Sequence, residues 1–246
     1  MTHSSLYFFG ELHDFLTPEK EELARSYPVD RRASVKDAIE ALGPPHPEVG
    51  RIERNGSRLG FEHILEPKEA LAIYPHPKPI QVTQKSLLCP KPLSEVRFVV
   101  DVNVGKLARF LRMLGYDAAY HWTWRDRDIA RIAEAEGRIV LTQDIGLLKR
   151  RQVVWGRYIR SEHPEEQLRE VVRVFGLEKP FALFTRCLHC NRRLEPVDKQ
   201  AILHRLEPKT KRSFDTFRMC PGCDRIYWPG SHQERMRQWL EDMGLA

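Results

Sequence analysis

The central part of this sequence predicts an α/β fold with a largely parallel sheet, and three observations carry that expectation. Short apolar runs, "VRFVVDV" and "GRIVLTQDIGLLKR", alternate with helical stretches of 3.6-residue periodicity, "GKLARFLRMLG" and "DRDIARIAEAEG". That alternation favours crossover connections between parallel strands. Both apolar runs then end on an aspartate, and open sheets of this class bind ligands beyond the carboxyl ends of their strands.

An α+β segment precedes this core. "LYFFGEL" reads as a strand. "SVKDAIEALG" reads as a helix with Ser34 as N-cap, Asp37 at the third helical position, and Val35, Ala38, Ile39 and Leu42 on one face; Gly43, Pro44 and Pro45 stop it. "RIERNGSRLGF" carries the Asn55-Gly56 pair of a tight hairpin, and "EALAIYP" is a last short strand. Residues 74–95 hold Pro75, Pro77, Pro79, Pro90 and Pro92, which favour extended backbone and predict a linker. The resulting division is 1–78, a linker at 79–95, an α/β domain at 96–180, and a cysteine-bearing module with a final helix at 181–246.

In the α/β part, "VRFVVDV" ends its strand on Asp101, and a helix follows with Leu107, Phe110, Leu111 and Leu114 on one face. "YDAAY" suits a short strand, and Asp126 opens the next helix, which Gly137 closes. The following strand ends on Asp144. An aspartate after a strand is commonly a turn residue or helix cap. Two of them at one sheet edge, with a third acid at Asp126 or Asp128, have the chemistry to hold Mg²⁺ or Mn²⁺, which prefer oxygen ligands. Such a cation generates a nucleophilic hydroxide and stabilises charge on a phosphate. Glu162, just before the helix of "HPEEQLREVVRVFG", is a candidate fourth acid. The fingerprints of P-loop nucleotide hydrolysis, dinucleotide binding and serine hydrolysis are absent from the sequence.

The cysteines supply the most specific motif. Cys187 and Cys190, then Cys220 and Cys223, form two C-x₂-C pairs separated by 29 residues. Four thiolates make a closed structural Zn²⁺ shell with no position for a catalytic water. The intervening stretch predicts an extended hairpin or insertion, and Cys89 is a lone structural thiol. Pairs of this kind suit a reducing compartment, and with no signal peptide or membrane-length apolar run the expectation is a cytoplasmic protein without a membrane partner.

Charge points to a polyanion. The net charge is +6; residues 1–90 sum to −2 and residues 91–246 to +8. Candidate phosphate-backbone contacts are Arg109, Arg112, Lys149, Arg150 and Arg151, with Lys209, Lys211 and Arg212 in the cysteine module. Phe214, Phe217 and His204 interleave with that charge, as base-stacking side chains would.

Two resemblances follow from these motifs. "SVKDAIEALG" and "RNGSRLGF", in the order strand, an optional second strand, helix, hairpin, strand, resemble the ubiquitin-like β-grasp domains related to small sulfur carriers. This segment ends in Tyr74-Pro75 instead of the free Gly-Gly that carrier chemistry needs, so docking of a protein partner or presentation of a substrate is the role expected of it. "FVVDVNVGKLARFLRMLGYDAAY", "DRDIARIAEAEGRIVLTQDIGLLKR", the paired cysteines and "RIYWPGSHQERM" resemble the Mut-7 C-terminal RNase family over residues 96–238. That resemblance implies a PIN-like nuclease fold with a zinc ribbon, and RNA hydrolysis by Asp101, Asp126 and Asp144 around Mg²⁺ or Mn²⁺, with Asp128 and Glu162 as further acids. Gln143 stands where an Arg commonly precedes the last aspartate, and His232 resembles a recurrent feature of the family, which implies a substrate contact there. The rival reading is a non-catalytic RNA-binding or protein adaptor on the same scaffold.

Overall fold

The computed structural model describes residues 3–16, 24–29 and 32–245. Its N-terminal elements are β1 (His3–Phe8), β2 (Ala24–Pro28), α1 (Val35–Leu42), β3 (Val49–Arg54), β4 (Ser57–Arg58) and β5 (Ala70–Pro75). They form one sheet in the order β2-β1-β5-β3-β4, with β1 and β5 parallel and the remaining neighbours antiparallel. Alternation in β1 buries Ser4, Leu6 and Phe8, and α1 buries Val35, Ala38 and Ile39. The capping box forms as expected: Ser34 Oγ accepts from Asp37 N at 3.1 Å, and Asp37 Oδ2 accepts from Ser34 N at 3.3 Å. Only glycine fits after α1, because a Cβ on Gly43 would lie 2.2 Å from the Phe15 carbonyl oxygen. Asn55 and Gly56, at φ 48° and 78°, make the two-residue turn between β3 and β4.

One expectation here needs correction. β1 stops at Phe8, and Gly10 at φ 57° turns the chain into a 3₁₀ turn, Gly10–Phe15, that buries Leu12 and Phe15. In the proline-rich stretch, expected as a linker, Ile80, Val82, Leu88 and Cys89 are buried and Ile80 N donates to the Val174 carbonyl at 2.8 Å.

The chain continues through β6 (Arg97–Val100), α2 (Gly105–Met113), β7 (Asp117–Ala119), α3 (Asp126–Glu136), β8 (Ile139–Thr142), α4 (Ile145–Leu148), β9 (Gly156–Tyr158) and α5 (Pro164–Phe175). Last come β10 (Glu195–Val197), α6 (Lys199–Ile202), α7 (Pro208–Ser213), β11 (Phe217–Met219), β12 (Ile226–Tyr227) and α8 (Ser231–Asp242). It divides into two units: residues 1–105 with 120–176, and residues 106–119 with 177–246.

In the first unit, β6, β8 and β9 are neighbouring parallel strands. The apolar residues of β6 and β8 are buried on both faces, as parallel strands covered on two sides require. The register pairs Val100 with Leu141 and Thr142 with Tyr158. Asp101, Thr142 and the residues after Tyr158 therefore share the carboxyl edge. β8 ends at Thr142, two residues earlier than the sequence suggests, because Asp144 is already the cap of α4.

In the second unit, β10-β11-β12 form a small antiparallel sheet. The insertion between the cysteine pairs is an antiparallel β10–β11 pair whose connection carries α6, a 3₁₀ turn and α7. Ile202, Leu206 and Phe217 are its core, and Phe214 and Trp228 pack against it. Phe217, buried at 2% exposure, is thus a core residue and not a surface for stacking bases.

Candidate functional site

The first site lies at the carboxyl edge of the parallel strands. Asp101 is 6% exposed, and its Oδ1 accepts from Val102 N at 2.6 Å as the chain enters a 3₁₀ turn. Its Oδ2 accepts from Thr142 Oγ1 at 2.6 Å. The same hydroxyl accepts from Asp144 N at 2.9 Å and from Asn103 Nδ2 at 3.4 Å. Asn103 Oδ1 in turn accepts from Gln143 N at 3.2 Å. One fully buried threonine thus ties the two strand-end aspartates together, using its single donor and both acceptor positions. Asp144 Oδ1 caps α4, accepting from Gly146 N at 2.6 Å and Leu147 N at 3.2 Å. Gln143 Nε2 donates to the Ser161 carbonyl at 3.1 Å, as does Gln167 Nε2 at 3.0 Å, so the loop after β9 is fastened to the end of β8.

The other expected acids sit differently. Asp126 Oδ2 is 3.6 Å from a guanidinium nitrogen of Arg150, which joins the start of α3 to the second residue beyond α4. Asp128 Oδ2 accepts from Arg125 N at 3.1 Å, so this carboxylate caps its own helix. Glu162 is exposed ahead of α5. Among the described residues, no three carboxylates bring ligand atoms within 4.8 Å of one another; only the four cysteines do so. The donor chemistry of Asp101, Asn103, Thr142 and Asp144, all oxygen, suits a hard divalent cation.

Sequence reasoning missed Asn103 and Thr142. The signal was present in spacing, each lying two residues from an aspartate on the chain. It also missed the turn after β7, where Trp122 is 72% exposed. The His121 ring lies 6.0 Å from both the Trp122 and the Trp124 rings. A Cβ on Gly105 would meet the Tyr120 ring at 2.8 Å, so Tyr120 rests on the chain four residues after Asp101.

The second site is the thiolate cluster. Sγ atoms of Cys187, Cys190, Cys220 and Cys223 all lie within 4.8 Å of one another, with Cys187–Cys223 at 3.5 Å and Cys190–Cys220 at 3.2 Å. A Zn–S bond of about 2.3 Å implies tetrahedral S–S edges of roughly 3.8 Å, so the cluster fits zinc. The two C-x₂-C turns have the same construction. Cys187 N donates to the Arg192 carbonyl at 2.8 Å and Asn191 N to the Cys187 carbonyl at 3.0 Å; Cys220 N donates to Arg225 at 2.9 Å and Asp224 N to Cys220 at 3.0 Å. Asn191 and Asp224 both take positive φ, 72° and 55°, a conformation their short polar side chains tolerate. Each turn aims an amide at a ligand sulfur, Cys190 N at Cys187 Sγ and Gly222 N at Cys220 Sγ, both 3.4 Å. The Tyr227 hydroxyl stands 3.1 Å from Cys187 Sγ.

Among the basic candidates, Arg112 must be reassigned. It is 3% exposed, and its guanidinium donates to the carbonyls of Ala118 at 2.9 Å, Leu188 at 3.1 Å and His189 at 2.8 Å. It braces the first cysteine turn and has no face left for a phosphate. Lys149 Nζ donates to the Glu40 carbonyl at 2.6 Å, and burial holds its pKa below the usual lysine value. Arg109, Lys209, Arg212 and His232 are exposed, and Lys211 is half-buried.

A model of the Mut7-C RNAse domain matches residues 96–240, and a model of the Mut7-C ubiquitin domain matches residues 1–81. The chain belongs to the Mut7-C RNase domain family. A human protein named "Exonuclease mut-7 homolog" is 35% identical over 124 residues, 48% of this chain. The match spans 14% of that protein's length. No solved structure matches. The Mut7-C match covers both the aspartate-bearing strand ends and the four cysteines, and the N-terminal sheet with its capped helix is the ubiquitin-like part. Among the described residues, no helix is long and apolar enough to cross a membrane.

Proposed function

We propose that this Mut7-C chain is a metal-dependent ribonuclease of PIN-like type that hydrolyses RNA phosphodiester bonds. The observation that carries this reading is the Thr142 link between Asp101 and Asp144 at the carboxyl edge of adjacent parallel strands, within the segment that matches the RNase family. Asp101 and Asp144 would hold Mg²⁺ or Mn²⁺, with Asp126 as the next acid and Asp128 and Glu162 as outer candidates. When bound, such a cation supplies an activated water and charge neutralisation at the scissile phosphate. The chain's own contribution is positioning: Thr142 and Asn103 orient the Asp101 and Asp144 segments, and Gln143 holds the Ser161 loop beside them. Trp122, next to Arg125 and Arg127 on the chain, offers a stacking surface for an unpaired base. Structural zinc at the four cysteines keeps the second unit folded. Arg109, Arg150, Lys209, Lys211, Arg212 and His232 are the candidate phosphate contacts, and the ubiquitin-like part is a docking surface for a protein partner. A reducing, cytoplasmic setting suits the four thiolates.

The test is cleavage of end-labelled single-stranded and duplex RNA with Mn²⁺, Mg²⁺ or EDTA, comparing wild type with Asp144→Asn at matched fold and zinc content. Asparagine keeps an oxygen to cap α4, so loss of metal-dependent cleavage would report chemistry and not a broken helix. The label also separates release of terminal nucleotides, as the human relative's name would suggest, from internal cuts. One observation favours the rival, a non-catalytic RNA-binding adaptor: Asp126 and Asp128 are engaged by Arg150 and by a helix cap. Mn²⁺ binding that disappears in Asp101→Asn with zinc intact would exclude the adaptor; unchanged binding would support it.

A further inference from the structure

Two helices of the second unit present the same stripe. On α2, Lys106, Arg109, Phe110 and Met113 fall at i, i+3, i+4 and i+7; on α8, His232, Arg235, Met236 and Trp239 repeat that spacing. Each stripe runs from two cationic or titratable residues to two apolar ones, and residues so spaced share a helix face. Together they line one cleft of about 530 Å³. That volume lies in the range of small-ligand sites, roughly 300–1,000 Å³. Its apolar end is made by Phe110 and Trp239, with ring centroids 4.6 Å apart and planes at 42°. Among the described residues, no carboxylate lines it. An ordinary solvated helix pair would intersperse acids with its bases, whereas here the cations face a shared concavity without them.

We propose that this cleft seats an unpaired nucleotide of single-stranded RNA, with the base on Phe110 and Trp239 and the flanking phosphates at Lys106, Arg109, Arg235 and His232. The assignment rests on RNA being the substrate, as proposed above, and adds that the strand must be unpaired here. A base inside a duplex has no free face to stack on the two rings, while phosphates alone would be met as well by an open basic surface. The site is therefore a selector for single strands, distinct from the aspartates that would cut them.

The experiment uses the full chain carrying Asp144→Asn, zinc-replete and without Mg²⁺ or Mn²⁺. It measures fluorescence anisotropy of a labelled ten-nucleotide RNA, alone and annealed to its complement. The single strand is expected to bind at least tenfold more tightly than the duplex. The double reversal Arg109→Glu with Arg235→Glu, at exposed positions, is expected to weaken single-strand binding at least tenfold and to lower the salt slope by about 1.4, near 0.7 for each lost phosphate contact. Trp239→Ala is expected to lose binding by about 5- to 140-fold. If that variant misfolds, a 4-thiouridine photo-crosslink landing on Phe110 or Trp239 in the Asp144→Asn protein replaces it. Equal affinity for single strand and duplex, or a charge reversal without effect at unchanged zinc content, would overturn the proposal. Cleavage by wild type that persists in Asp144→Asn would defeat the catalytic reading and leave these binding outcomes intact.

Discussion

Thr142 Oγ1 donates to Asp101 Oδ2 at 2.6 Å, across the register step that follows the Val100–Leu141 pair. Asp101 is buried, and a carboxylate out of water needs its oxygens satisfied. Thr142→Val keeps the shape and removes the donor. The expected cost is about 1–3 kcal/mol of stability, since the buried Asp101 acceptor loses its donor and Asp144 N and Asn103 Nδ2 lose their acceptor. Metal affinity or cleavage is expected to fall about 10- to 100-fold, as when a residue that orients a ligand is lost. Thr142→Ser should retain most of both. Urea unfolding and Mn²⁺ titration on the three proteins check this.

Asp144 has two separable roles. Its carboxylate caps α4 through Gly146 N and Leu147 N, and it is a proposed metal ligand. Asp144→Ala is expected to cost about 0.5–2 kcal/mol from the cap, whereas Asp144→Asn should lose little stability. Both should lose cleavage. If Asp144→Asn unfolds as readily as the alanine variant, the cap is not what holds this turn.

What was legible in the sequence was local. The α1 capping box, the Asn55-Gly56 turn, the strand-end aspartates and the C-x₂-C turns all depend on residues within a few positions of one another. What was not legible depended on burial by distant chain. Arg112 looked like any cation on the polar side of a helix, and its partners Leu188 and His189 lie 76 and 77 residues away. Phe217 looked like a stacking aromatic until the helical connection between β10 and β11 closed over it. Asp128, the alternative to Asp126 as the third acid, caps its own helix, and spacing alone does not tell a ligand from a cap.

The largest feature of this kind is Arg157, 2% exposed on β9. Its guanidinium reaches Glu11 Oε1 at 2.6 Å, Glu48 Oε2 at 2.9 Å and Glu170 Oε1 at 3.0 Å. Glu48 Oε1 also accepts from Tyr158 N at 2.6 Å. Desolvation alone would raise Glu11, but Arg157 and then Lys78 outweigh it and hold the carboxyl at about 2. Glu11 and Glu48 come from the ubiquitin-like part, so it completes the ion pairing of a strand beside the candidate site. Removing one partner of a buried ion pair costs about 3–5 kcal/mol, and Glu48→Ala is expected to fall in that range by urea unfolding. Deleting residues 1–80 should leave Arg157 with Glu170 alone and yield aggregated protein. A soluble deletion variant with wild-type thermal stability would contradict this account.

Zinc removal separates the cysteines by environment. Burial pushes the Cys89 thiol up to about 11, partly opposed by the Ser86 hydroxyl, so it is a poor nucleophile at neutral pH. The native protein should carry one zinc per chain and resist thiol alkylation. Chelation should expose four thiols to reagent while Cys89 stays protected until the first unit unfolds. Cys220→Ser should lose the metal and melt the second unit. Mass spectrometry of alkylated peptides, with zinc content measured in parallel, reads both effects.

Acid should weaken the first unit through His76. Desolvation holds its pKa at about 4 against an ordinary 6.5; the Pro47 carbonyl and Glu11 pull it up, and the Arg157 charge pushes it down. Its Nε2 is buried without a hydrogen-bond partner, 5.7 Å ring to ring from Trp155. The unfolded chain takes up a proton near pH 6.5 that the folded chain refuses until about pH 4. Folding therefore binds fewer protons in that window, and stability falls as pH drops through it, by at most about 3 kcal/mol. Glu11 adds a further loss between its ordinary 4.5 and about 2. Urea midpoints measured from pH 7.5 to 4 should fall for wild type and fall less for His76→Gln, which cannot take up that proton. Equal slopes for the two proteins would place the acid sensitivity elsewhere, the Glu11–Arg157 pair being the next group to test.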